Sequence, residues 1–509
     1  MINNKPIMNN PHTVNTPTTP IMDQPESHVL HLSPFDQTIG RIYVRKLFCF
    51  SFPDQSMKGQ ATDALHLGIS AAVARWPFLT GSVGPAKHNS RRNAVDLVYK
   101  TDHDGEPVKD ILVLRELSPE DFPWTYQQLK EAGMPPSAMK KEILCAVPEH
   151  PKAGESRPAF SVQASFFDGG LILCVASHHT VFDGNSVKQF LKAFTAALRT
   201  SQCADSVKES SFPRRLEYSE GLCTDCRGAC LDVLPEFDTR DPAIIDVNLT
   251  APSVATARIL TFSANTVEAL KTAVTQQLPL VAELGAWVST TDCLAALLWV
   301  AVIRARQHRL EPFTKVKFGM AVDIRSKADP PLTSEYFGNA ICHTLTTATV
   351  AELTNTMDHD SGIDVEADGE SNIDIKTIAL AASRIRAAVL RVDSAYVQDR
   401  LRVFSNVADP TFAANAYKKA LDMPNTGLDM SSWQDQGADF DFGIPGASSK
   451  PDFVRKTYSA NQGACNILPR KGGSKGNADW EVLLGLSVAD MEMVCSKEEL
   501  GAWLKRVVA

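Results

Sequence analysis

Residues Gly170-Leu-Ile-Leu-Cys-Val-Ala176 form a short apolar run opened by glycine, the pattern of a strand buried on both faces. After it, Val187, Phe190, Leu191, Phe194, Ala197 and Leu198 follow i, i+3, i+4, i+7 spacing and predict a helix over 185–198. The β-branched and aromatic segment Ile42–Phe52 predicts another strand. Residues 62–76 carry Leu65, Ile69, Ala72, Val73 and Trp76 on one helical face and stop at Pro77, and Phe78-Leu-Thr-Gly81 turns into a further strand. The pattern restarts with strand Ala257–Phe262 and a helix marked by Val267, Leu270, Ala273 and Val274. A second helix spans about 291–306, with Thr290 or Thr291 as N-cap and Leu294, Leu297, Leu298, Ala301 and Val302 for packing. A long amphipathic helix begins at Ile375 and runs through Ile378, Ala382, Ile385 and Val389 to Val392. Strands and helices alternate, so the class is α/β.

Three stretches lack this periodicity. Residues 1–27 are rich in Asn, Pro and Thr and read as a disordered tail, without the apolar core of a secretory signal. Ordered sequence begins near His28, with Leu30, Leu32 and the turn Ser33–Gln37. Residues 203–250 are polar and contain Pro213, Pro235 and Pro242; they read as a crossover linker between halves at 28–202 and 251–509. Residues 357–374 hold seven acidic side chains and no basic one. They lack the ligand spacing of a calcium loop and read as a solvated mobile loop. No short internal repeat is present.

The chain has 509 residues, 44% hydrophobic and 22% charged, enough for a sizeable core. Its net charge of −8 argues against a nucleic-acid partner. No apolar run approaches the roughly 20 residues of a membrane span, so no membrane partner is expected. Eleven cysteines, several inside apolar runs (Cys174, Cys293), fit reduced thiols and a cytoplasmic location. Cys223, Cys226 and Cys230 have zinc-like spacing but no fourth ligand nearby, so no metal is expected.

The candidate chemistry lies where the first strand ends and its helix begins, at Ser177-His178-His179-Thr-Val-Phe-Asp183-Gly184. An imidazole titrates near neutrality, and one held at such a turn can take a proton from an alcohol or amine attacking a carbonyl. His178 either shares in that chemistry or supports the turn. Asp183 suits an N-cap by type and position. Gly184 permits a tight turn or relieves crowding.

His178-His179-Thr-Val-Phe-Asp183-Gly184 resembles the His-x-x-x-Asp-Gly signature of BAHD acyltransferases, which condensation domains share. Asp323-Ile-Arg325, Pro330-Pro331-Leu332 and Tyr336-Phe337-Gly338-Asn339 are similar to that family's Asn-x-Arg and Tyr-Phe-Gly-Asn region. Asp441-Phe442-Gly443 and Pro451-Asp-Phe-Val-Arg455 are similar to its Asp-Phe-Gly-Trp-Gly motif and the segment trailing it, but Ile444-Pro445-Gly446 stands where Trp-Gly would. Leu32-Ser-Pro-Phe-Asp36 with Arg41-Ile-Tyr-Val44 is similar to the opening of the fungal trichothecene O-acetyltransferase branch. The matches run in order over nearly the whole chain.

That resemblance implies two chloramphenicol-acetyltransferase-like domains with mixed sheets and an active-site channel between them. It implies an acyl-CoA-dependent O-acyltransferase of secondary metabolism, most simply an acetyltransferase, using acetyl-CoA or another acyl-CoA and a small hydroxylated acceptor, and working as a monomer. His179 would be the general base of a ternary-complex mechanism. Asp183 would give structural support through an ion pair to Arg325, with His178, Gly184, Asp441 and Gly443 supporting. Trp433 is a substitute for the missing motif tryptophan only if the backbone carries it to the site. Lys315, Lys317 and Lys327 are candidates for the CoA phosphates, although surface solvation also accounts for them. A carrier-protein-dependent condensation enzyme and a non-catalytic binding protein of the same fold are the alternatives.

Overall fold

The computed structural model describes residues 27–87, 91–100, 111–200, 231, 234–239, 254–283, 285–354, 371–473 and 476–509. The expected tail up to residue 26, most of the crossover, Cys223, Cys226, Cys230 and most of the acidic loop lie outside the described residues.

Two mixed sheets organise the molecule. Strand Gly170–His178 is buried along its whole length because it is central in a five-stranded sheet. It pairs antiparallel with Tyr43–Ser51 on one side and Phe160–Phe167 on the other. Leu112–Glu116 then adds a parallel edge strand. The helix expected over 185–198 runs Gly184–Thr200 and buries Val187, Phe190, Leu191, Phe194, Ala197 and Leu198. Helix Lys58–Arg75 packs beside it, and Gly68 allows the approach: a Cβ there would lie 2.9 Å from the Phe194 ring. A small four-stranded sheet begins with Ser27–His31, paired to Val95–Lys100.

The second half is built on a seven-stranded sheet containing Ala255–Phe262, Lys315–Asp323, Ile341–Thr349, Gly427–Ser432, Ala464–Ile467, Trp480–Ser487 and Arg506–Val508. Helix Thr290–Arg306 is almost wholly buried and centres that half's core. Its N-cap is Ser289, one residue before the expected threonines, in a reciprocal capping box with Asp292. The long helix spans Ile375–Leu390, capped by Asp374.

The halves are not cut cleanly at the crossover. Strand Phe453–Lys456 leaves the C-terminal half and pairs antiparallel with Tyr43–Ser51, giving the first sheet its other edge. Arg455 fixes that exchange. Its guanidinium donates to Glu481 at 2.8 and 2.9 Å and to the carbonyls of Gly133 and Met134 at 2.9 and 3.1 Å. Phe337 makes a second tie, packing against Trp76, Phe78 and Phe182 of the N-terminal core. Burying one such ring contributes roughly 1.5–3 kcal/mol.

Candidate active site

The turn after Gly170–His178 is built from neighbours that are all buried except one. His178, Thr180, Val181 and Phe182 lie inside the fold, and His179 alone is half-buried. Val181 and Phe182 donate their N–H groups back to the His178 carbonyl, while Phe182 packs on Phe160 and Phe337. His179 N–H donates to the Ile42 carbonyl at 2.8 Å, and the His179 carbonyl accepts from Asn339 Nδ2 at 2.8 Å. Asn339 also donates twice to Asp36 Oδ1, from its backbone and its side chain. The residue is thus held by strand Tyr43–Ser51's leading edge and by both halves of the chain.

The side-chain geometry settles the tautomer. His179 Nδ1 lies 2.9 Å from the Phe182 carbonyl oxygen. A carbonyl only accepts, so Nδ1 carries the hydrogen and the neutral ring keeps its lone pair on Nε2. Burial pushes the pKa of His179 below the ordinary imidazole value, against backbone hydrogen bonds and the Asp183 charge, which raise it. His343 adds to the lowering. The ring lines a cavity of about 290 Å³ between the halves, whose walls include Phe35, Ile39, His343, Tyr417 and Trp433.

His178 is placed differently. Its Nδ1 lies 2.6 Å from Thr180 Oγ1, its ring packs edge-on against Tyr43, and burial pushes its pKa down to about 3. It supports the turn from the far side of the strand.

Asp183 does two things at once. Oδ1 accepts from the Ser186 N–H at 2.8 Å and from Ser186 Oγ at 2.9 Å, the bonding of an N-cap. Oδ2 lies 2.7 Å from Arg325 Nη2 and accepts from the Ala340 N–H at 3.1 Å. Arg325 in turn donates to Asp323 and to the carbonyls of Tyr336 and Gly338. The aspartate therefore shapes the turn and does not touch the His179 ring. Gly184 has an ordinary backbone conformation; its missing Cβ leaves room for Gln436, whose Nε2 would be 2.5 Å from that atom.

The Asp441 loop stands away from the cavity lining. Phe442 packs between Phe48 and Phe50, Ile444 is 3% exposed in the same core, and Asp441 Oδ1 accepts from the Gly443 N–H at φ +60°. Arg199 donates to the Asp441 carbonyl. Trp433, by contrast, lies on the wall of the cavity that holds His179, with the Lys46 ammonium 4.3 Å from its ring centre. Burial pushes Lys46 down to about 7.

The three lysines expected to meet CoA do not line the cavity. Lys315 is exposed, Lys317 borders a separate depression near Pro235 and Ala420, and Lys327 Nζ donates to the Val392 carbonyl at 2.7 Å. The lysines on the cavity wall are Lys418 and Lys456. Sequence reasoning also missed Glu236, His343, Arg400 and Tyr417 there. Glu236 falls in the crossover, where no periodicity marks it. His343 sits on the alternate face of a strand, which its pattern alone could not assign to solvent or cavity. Among the described residues no cluster of three or more His, Cys, Asp or Glu is arranged to hold a metal ion.

A model of the Transferase family matches residues 127–500, and the trichothecene 3-O-acetyltransferase-like N-terminal domain matches residues 42–197. The chain belongs to the Transferase family. The BAHD resemblance and its fungal trichothecene branch hold for this Transferase-family chain. The O-acetyltransferase astG of Aspergillus oryzae is 25% identical, the alignment covering 91% of this chain and 99% of that protein. Trichothecene 8-O-acetyltransferase of Fusarium sporotrichioides is 25% identical over 93% of this chain and 97% of its own. In fold, the Fusarium graminearum TRI101 structure complexed with coenzyme A and T-2 mycotoxin aligns with a TM-score of 0.72 at 21% identity, covering 95% of this chain and 100% of that one. Vinorine synthase aligns at 0.58 with 16% identity, covering 96% of both chains. The expected two-domain fold with mixed sheets holds in this family member.

Proposed function

We propose that this chain is an acyl-CoA-dependent O-acyltransferase that transfers acetyl to a hydroxyl of a secondary metabolite, with His179 as general base. The observation that carries the reading is the Nδ1–H bond to the Phe182 carbonyl, which leaves the Nε2 lone pair of a cavity-lining ring to take up a proton. Nε2 takes the hydroxyl proton as the oxygen attacks the thioester carbonyl. The carbon–sulfur bond then breaks, and the imidazolium returns the proton to the departing sulfur. The relatives' names point to O-acetylation of fungal metabolites, and the solved neighbours hold CoA with a toxin acceptor. Lys418 and Lys456, on the cavity wall, join Lys315, Lys317 and Lys327 as candidates to meet the negative groups of acyl-CoA.

The reading includes a cytoplasmic enzyme acting as a single chain. Seven described cysteines are free, six of them buried, which suits a reducing compartment. No described helix is long and apolar enough to cross a membrane. The test is a screen of hydroxylated terpenoids, alkaloids and polyketides with labelled acetyl-CoA. Label should move to at least one alcohol, and acetyl-CoA should raise the melting temperature. Stabilisation and transfer only with an acyl-carrier-protein thioester would favour the condensation-type alternative instead.

A further inference from the structure

The seven-stranded sheet contributes polar residues, among them His343, Asp429, Ser431 and Asn466, to the lining of the cavity that holds His179. On strand Ile341–Thr349 the residues Cys342, Thr344, Thr346 and Ala348 are buried, while His343 lies on the opposite face and lines the cavity. Its in-register neighbour on the next strand is Ala321, too short to cover it. Its ring packs at a tilt against Tyr417, with centroids 4.2 Å apart, and Tyr417 is held in place because its Oη donates to Asp429 Oδ1 at 3.0 Å. Gly319 keeps that bond possible, since a Cβ there would run into Tyr417 Oη.

The acidic groups of this wall already have partners. Glu236 is paired with Arg400 at 2.6 Å and lies 3.0 Å from Tyr396 Oη, and Asp429 accepts from Tyr417. His343 Nδ1 is buried with no hydrogen-bond partner among the described residues, so the ring keeps unspent hydrogen-bonding capacity. Phe35, Ile39 and Phe404 add apolar surface to the rest of the lining.

We propose that His343 determines acceptor specificity: its imidazole hydrogen-bonds a second oxygen substituent on an otherwise apolar acceptor while His179 deprotonates the hydroxyl that is acylated. This rests on the acyltransferase reading and adds the acceptor class, a lipophilic skeleton bearing at least two oxygens. A site that spends a buried polar group on one substrate oxygen discriminates against the analogue lacking it. Because the second contact fixes the skeleton's orientation, it also selects which hydroxyl reaches His179.

The test uses labelled acetyl-CoA with an unsymmetrical sesquiterpenoid diol and its two mono-ols as probes. Wild type should favour the diol by about tenfold or more in kcat/KM and acetylate chiefly one hydroxyl. His343→Phe keeps the ring contact with Tyr417 but cannot hydrogen-bond. It should erase the diol preference and mix the regioisomers, with the KM for acetyl-CoA within about twofold of wild type. His343→Gln should restore part of the selectivity. Equal use of diol and mono-ols by wild type, or an unchanged preference and regioisomer ratio in the Phe variant, would overturn the proposal. If the Phe variant does not fold, the wild-type comparison and the Gln variant decide it alone. A wild-type chain that acetylates none of the probes, and behaves as His179→Ala does, contradicts the acyltransferase reading and this proposal with it.

Discussion

Arg325 Nη2 lies 2.7 Å from Asp183 Oδ2, and the two side chains are 7% and 1% exposed. One belongs to the C-terminal half and the other to the turn that presents His179, so the pair locks the turn to the opposite domain. Removing one partner of a buried pair leaves the other charge poorly compensated. Asp183→Asn keeps an N-cap oxygen for Ser186 but loses the pairing, while Arg325 retains Asp323. The expected cost is about 2–3 kcal/mol in denaturant unfolding, below the full range for an isolated buried charge, together with reduced turnover. An inactive variant with unchanged stability would contradict this shaping role.

The isoleucine where the motif tryptophan would stand has its own consequence. Ile444 is 3% exposed in the core beside the Phe442 loop, away from the cavity lining. Ile444→Trp should therefore overpack that core and destabilise by about 1–3 kcal/mol, with kcat near wild type below the melting transition. A rise in kcat with no loss of stability would show that the loop reaches the chemistry.

Acid should act on both activity and stability. Burial lowers the pKa of His178, His179 and His343, His178 to about 3. In the unfolded chain each would titrate near the ordinary 6.5. Between the folded and unfolded values the unfolded state binds more protons, so stability is complete above about 6.5 and falls as the pH drops toward 3. The acid limb of kcat/KM should likewise lie below the ordinary imidazole value, since His179 must be neutral. Unfolding measured from pH 7 to pH 4 should show a smaller loss for His178→Gln than for wild type.

The strand–turn–helix that carries His179 was legible because each part has a strong local signal. An unbroken apolar run is central in its sheet, and a clean i, i+3, i+4 face packs on it. The Asp183–Arg325 pair was reachable only through family resemblance, since 142 residues separate the partners. Helices Ser394–Asn406 and Pro410–Leu421, which bring Arg400, Phe404 and Tyr417 to the cavity, were not read. Their buried faces pack on a small third core that includes Phe35 and Leu234, distant segments no local period foretells. Strand Phe453–Lys456 was missed as a member of the first sheet for a similar reason: strand exchange is a matter of topology, and four residues carry little pattern. The lysines proposed for CoA lie off the cavity lining, because a charge on a strand or loop says nothing about which surface it faces.

The central claim is that the neutral His179 imidazole takes the proton of the incoming hydroxyl. The most direct measurement is the single-turnover rate of acetyl transfer from acetyl-CoA in His179→Ala against wild type, with CoA binding followed in parallel. The account predicts a fall of about a hundredfold to ten-thousandfold with CoA affinity and melting temperature nearly unchanged. A variant that transfers acetyl at the wild-type rate would contradict it.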